Sequence, residues 1–232
     1  MQTTFISQKL QDVKLEIPIP GHWGICLDGD QEPMLKALQL AVQEANRECL
    51  QYVEIGLAEA ATFSAMSRSL RSLAESRGKI WRSIGLDLPD GWSLNLENAK
   101  RNLGDLLCPQ DLELGLNHAN ILLMPSQRYL TLFPSLIDYL FIDGCHGRKC
   151  AHADFIAAEQ RIPVGGIVVF HDAAEQDQGL DMQPHCNETI GVRAAIHDLG
   201  LFHGLRPNWK LLADVVAPYP NRGVAIFQKV PA

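Results

Sequence analysis

The 232-residue sequence contains no run of apolar residues near the ~20 that a membrane-spanning helix requires. Its N-terminus is polar and carries no leader-like apolar stretch. A soluble chain in the cytoplasm is therefore expected. Its six cysteines include no C-x-x-C pair, so no disulfide framework is indicated. Cys145, His146, Cys150 and His152 lie close together, but their spacing is not that of the paired knuckles of structural zinc. Basic charge is also scarce. With 20 Lys and Arg against 27 Asp and Glu, the net charge of −7 argues against a nucleic-acid partner held by bulk phosphate attraction. The one visible basic run, Arg68, Arg71, Arg77, Lys79 and Arg82, reads as a solvated helix face and its exit loop. Finally, the G-x-G-x-x-G fingerprint of dinucleotide sites is missing. Gly56 stands alone, followed by Leu57, Ala58, Glu59 and Ala60. A glutamate in that turn repels a pyrophosphate and suits a ligand carrying positive charge.

What is present is a regular alternation of apolar strands and amphipathic helices. Helical spacing runs from Glu32 to Leu50 and again over Ala58–Glu75, Leu94–Leu107, Gln127–Phe133, Asp154–Gln160 and Val192–Leu199. Strand-like runs fall between them, at Tyr52–Gly56, Lys79–Leu88, Ile121–Met124, Ile137–Ile142 and Gly166–Phe170. The last two runs, Leu211–Val216 and Val224–Val230, have no helix between them and predict an antiparallel hairpin at the sheet edge. The pattern predicts one α/β domain over residues 1–232, doubly wound, with about seven mostly parallel strands. Residues 1–50 form an arm and helix ahead of the core.

In such sheets ligands bind outside the carboxyl ends of the strands. Those ends carry Glu54 and Gly56, Asp87, Pro125-Ser126-Gln127, Asp143 to His146, and His171-Asp172. Each alone has a structural explanation, a turn or a cap. Five polar ends along one edge of an apolar sheet point to a site.

These segments resemble class I S-adenosylmethionine-dependent methyltransferases. YVEIGLAEAATF resembles the first motif, an acidic residue and a glycine turn entering a helix, and SIGLDLP resembles the second. The most specific part is LFIDGCHGRKCAHADFIAAEQRIPVGGIVVFHDA, which resembles a bacterial subgroup related to catechol O-methyltransferase and to sugar and macrolide O-methyltransferases. The resemblance runs from about Tyr52 to Ala173 and implies a Rossmann-like fold. It also implies that Glu54, Gly56 and Ala58 line the methionine end of the cofactor, that Asp87 accepts the ribose hydroxyls and that Ser126 and Gln127 contact adenine. Asp143 would serve both cofactor and metal, and Asp172 would be a second carboxylate for Mg2+ or another divalent ion. His146 falls where the catechol-type enzymes carry their general base. The sequence departs from the pattern at Ala60, where glycine is common, and at Ala173, where an amide ligand is expected. His171 could supply the missing ligand, or act as a second base.

The resulting expectation is O-methylation of a small-molecule hydroxyl, with a histidine of ordinary pKa near ~6.5 taking the proton. A cofactor-binding protein without methyl transfer, a metal-dependent hydroxylase on the same fold and a nicotinamide oxidoreductase are the alternatives. Residues 174–190 are long, polar and aperiodic, and predict a lid that meets the arm around His22-Trp23. The arm and the closing hairpin are candidate surfaces of a homodimer.

Overall fold

Parallel strands need crossovers long enough to return the chain, and an amphipathic helix does this while covering a sheet face. The computed structural model of the chain describes residues 4–21, 28–88, 95–107, 119–173, 182–183, 188–189, 191–216 and 223–232. Its elements are β1 (Phe5–Ile6), α1 (Gln8–Gln11), α2 (Asp28–Glu44), β2 (Cys49–Ile55), α3 (Ala61–Glu75), β3 (Ile80–Asp87), α4 (Leu96–Leu103), β4 (Ala119–Leu123) and α5 (Ser126–Leu132). There follow β5 (Tyr139–Ile142), α6 (Arg148–Ala158), β6 (Ile167–His171), β7 (Met182–Gln183), β8 (Glu188–Thr189), α7 (Val192–Asp198), β9 (Trp209–Val216) and β10 (Gly223–Lys229). The predicted lid, apart from the short β7–β8 pair, and His22-Trp23 lie outside the described residues.

Eight strands form one sheet in the order β1-β9-β10-β6-β5-β2-β3-β4. Strands β2 to β6 run parallel, as the alternation predicts. The closing hairpin is antiparallel, but it does not leave β10 at an edge. That strand is inserted between β6 and β9, antiparallel to both. The reason is burial: all five residues of β6 are buried, and so are six of the seven in β10, so both require covered faces and paired edges. Residues of the N-terminal arm then add β1 against β9, so the arm covers the outer side of the hairpin.

Side chains alternate across the sheet and sort into two apolar layers. Tyr52, Phe141 and Val169 pack under α2, α3 and α4, whereas Val53, Ile55, Val168 and Phe170 pack under α5, α6 and α7. Phe155 and Phe170, both fully buried, stand 5.8 Å apart between their ring centres. Burial of each such ring contributes roughly 1.5–3 kcal/mol.

Two helices differ from the sequence expectation in their limits. α2 ends at Glu44, because Cys49 and Leu50 already belong to β2. α6 begins at Arg148, well before Asp154, and buries Ala151, Asp154, Phe155 and Ala158 as one stripe. The basic run is largely consumed internally. Arg68 donates to the carbonyls of Asn102 and Leu103, and Lys79 to that of Ala45, while Arg71 pairs with Glu75 and Arg77 with Glu16. Among the described residues, no helix is long and apolar enough to cross a membrane.

Candidate active site

The strand order reverses direction between β2 and β5, which makes the crevice at their carboxyl ends the natural binding place. There the ends of the two strands touch. The Asp143 amide donates to the Ile55 carbonyl at 2.8 Å, and a Cβ built on Gly56 would lie 2.2 Å from the Asp143 carbonyl oxygen. Gly56 also has φ +86°, so both contact and conformation demand glycine. The turn continues through Ala58 (φ 46°) and Ala60 (φ 54°), left-handed positions that usually fall to glycine. Ala60 caps α3 in that conformation, which is how the helix starts without the glycine expected there.

Beside this turn lies a cleft of about 290 Å³. It runs along the sheet edge from Asp143, Cys145 and His146, past Gly56 and Ala58, to Asp87, and ends at Ser126, Gln127 and Asp154. Asp87 is fixed at its centre: one carboxylate oxygen accepts the Leu57 amide at 3.0 Å and the other the Leu88 amide at 2.7 Å. A carboxylate offers about four lone-pair positions, so each oxygen can take a second donor. Glu54 is not among the lining residues. It points to the α2–α3 side, buried and hydrogen-bonded by the Tyr52 hydroxyl. Burial raises its pKa well above the carboxylate range, and the charges of Asp143 and Asp87 add to this, against the Tyr52 bond.

The other end of the cleft holds His146 between two carboxylates. Nε2 of His146 stands 3.3 Å from Asp143 Oδ1 and 3.5 Å from Asp172 Oδ2. Burial pulls the imidazole pKa down, but the Asp143 bond and the charges of Asp143 and Asp172 outweigh it, and the pKa lies above the ordinary value. Asp172 has φ +53°, a strained region that aspartate tolerates better than most residues. Donor atoms of Asp143, His146 and Asp172 all lie within 4.8 Å of one another, a spacing that suits one divalent ion.

His171 lies directly behind that group, against both of its carboxylates. It ends β6 on the α2–α3 face, fully buried, and its Nδ1 is bonded to Asp143 Oδ1 at 2.8 Å. On its far side, Nε2 is 3.9 Å from Oδ2 of Asp30, a fully buried residue of α2. The sequence suggests His171 as a metal ligand or second base; its Nδ1 faces both carboxylates, 2.8 Å from Asp143 Oδ1 and 3.5 Å from Asp172 Oδ1. Burial would raise the Asp143 pKa, yet His171 and His146 together hold it far below the usual carboxylate range.

The sequence also missed Asp154. Its Oδ1 accepts Ser126 Oγ at 2.5 Å and Gln127 Nε2 at 2.7 Å, so the pair expected to contact a ligand is organised by a buried carboxyl. A signal existed: Asp154 shares a helical stripe with Ala151, Phe155 and Ala158, where a charge is out of place. Burial raises its pKa to about 6, against the two neutral donors that lower it. A folded pKa above the unfolded one means stability that is complete below the ordinary pKa and lost as pH rises through about 6. The loss amounts to about 3 kcal/mol at most. Asp154→Asn is therefore expected to raise the denaturation midpoint at pH 8 more than at pH 4.5. Equal effects at both pH values would show that the carboxyl is not strained by burial.

A family described as a methyltransferase domain matches residues 3–173, most of the chain. The chain belongs to that methyltransferase family. No curated protein matches the methyltransferase by sequence. Solved structures share its fold. An O-methyltransferase from Bacillus cereus, crystallised with SAH, is 18% identical with a TM-score of 0.53, over 84% of this chain and 79% of its own. CalS11, a TDP-rhamnose 3′-O-methyltransferase of calicheamicin biosynthesis, is 20% identical with a TM-score of 0.55, over 84% and 76%. An rRNA methylase from Streptococcus thermophilus, 9% identical with a TM-score of 0.51 over 85% and 97%, shows that the fold alone does not select the substrate.

Proposed function

We propose that the methyltransferase transfers the methyl group of S-adenosylmethionine to a hydroxyl of a small molecule. The observation that carries this reading is the order of groups along the cleft: a reactive histidine between two carboxylates, a glycine cradle, then an anchored carboxylate. A sulfonium cofactor suits an edge that bears Asp87, Asp143 and Asp172 and lacks a phosphate-binding loop. The turn fits it too, because Gly56, Leu57 and Ala58 line the cleft between Asp143 and Asp87. The B. cereus structure with SAH and the sugar-modifying CalS11 support the cofactor and substrate class.

Methyl transfer is an in-line displacement, so the protein must hold the hydroxyl oxygen against the methyl carbon and remove one proton. His146 is the group placed to receive that proton. Asp143 and Asp172 orient its imidazole and stabilise the imidazolium that forms. His171 keeps Asp143 from turning away. Asp143 and Asp172, with His146 in reach, would hold a divalent cation, which when bound lowers the pKa of the hydroxyl and orients it. The residues act in a cytoplasmic enzyme on this reading.

Calorimetry tests the cofactor first. S-adenosylmethionine and SAH are expected to bind one site with micromolar Kd, and Asp87→Ala to weaken both at least tenfold. NAD binding in their place would overturn the proposal. A divalent ion is expected to raise kcat, with Asp172→Asn removing its effect while SAH affinity stays within about threefold.

A further inference from the structure

The cleft extends beyond the groups that the methyl-transfer reading uses, and its far end is built rather than empty surface. Read across the sheet, the strand ends run β5, β2, β3, β4, and they carry the reactive pair, the glycine cradle, Asp87 and the Ser126 turn in that order. A ligand with its methyl group at His146 and its vicinal hydroxyls on Asp87 must lay its nucleobase at the β4 end. That end is closed by Ser126, Gln127 and Asp154.

We infer that Asp154 selects the nucleobase of the cofactor by accepting a hydrogen bond from the exocyclic amino group at C6 of adenine. This inference rests on the proposed methyl donor. Asp154 is 3% exposed and lines the cleft, and it is held from one side only. Ser126 Oγ and Gln127 Nε2 both converge on its Oδ1. Both are donors, so they fix the carboxylate as an acceptor and set its plane. A buried carboxylate braced by two neutral donors, with no cation among the causes of its pKa shift, is costly to maintain. An Asn in its place would keep Oδ1 for Ser126 and Gln127 and turn an amide NH2 toward the base. That group suits a C6 carbonyl, as in hypoxanthine, and opposes a C6 amine.

The test is binding by calorimetry, using S-adenosylhomocysteine and its deaminated analogue S-inosylhomocysteine as probes. The wild-type protein is expected to prefer the adenosine form by at least tenfold, since an unmatched buried polar group is strongly rejected. Asp154→Asn is expected to shrink that preference to threefold or less, or to reverse it. Asp154→Ala, which offers neither donor nor acceptor, is expected to bring the two affinities together. Circular dichroism of each variant establishes that it is folded. Undiminished preference for adenosine in both folded variants would overturn the role of Asp154. Failure of the wild-type protein to bind either compound would instead overturn the choice of cofactor.

Discussion

His146→Ala is expected to lower kcat by roughly 10²–10⁴-fold, the usual contribution of a positioned proton acceptor, while SAH affinity changes by less than about threefold. The separation of the two readouts follows from the site. His146 meets Asp143 and Asp172 at one end of the cleft, whereas the cradle at Gly56 and the anchored Asp87 lie along the rest of it. Losing the imidazole therefore removes the proton acceptor without touching the groups that hold a nucleoside. Two companions sharpen the result. Asp143→Asn should also depress kcat, because it removes the negative charge that both His146 and His171 face. Exogenous imidazole should restore part of the activity of His146→Ala, as a small base can enter the space left behind. Near-normal turnover by His146→Ala would reject the assignment and move the proton acceptor elsewhere.

The second large effect is on folding and binding together. Gly56→Ala must place a methyl group 2.2 Å from the Asp143 carbonyl oxygen and 2.6 Å from the Gly144 Cα, both backbone atoms that no rotamer change can move. The left-handed conformation adds roughly 1–2 kcal/mol for any residue with a Cβ, and overpacking typically adds about 1–3 kcal/mol. A combined cost of about 2–5 kcal/mol is a large part of the 5–15 kcal/mol typical of a domain. Chemical denaturation should show it directly. Because relief requires β2 and β5 to separate at their ends, SAH affinity should fall at least tenfold even where the variant folds. A Gly56→Ala protein with wild-type stability and binding would mean that the two strands are not in contact at this point.

Much of this site was legible because strand ends in a parallel sheet are conspicuous: long apolar runs make Asp87, Asp143 and Asp172 stand out. The alternation of elements likewise fixed the central strands. Facing was harder to read. β2 and β6 are covered on both sides, so their sequences carry no polar–apolar alternation, and nothing local shows that Glu54 and His171 turn toward α2. Asp30 is invisible for a different reason. It approaches His171 from a residue some 140 positions away, a contact decided by how α2 docks. The same holds for β1 and for the place of β10, which depend on long-range pairing and not on any local pattern. Asp154 was readable in principle, as a charge on an apolar stripe, but its meaning required the helix to be seen against Ser126 and Gln127.

The position of β10 has a consequence for how the protein is made. Strand β6 cannot acquire its second neighbour until Gly223–Lys229 has been synthesised, and β9 and β1 can join the sheet only through it. During translation the strands from β2 to β6 are therefore exposed along one raw apolar edge, which is the kind of surface that chaperones bind and that aggregates. Ribosome-bound chains stopped before this strand should be protease-sensitive throughout that half of the sheet. Those extended past it should become resistant in a single step.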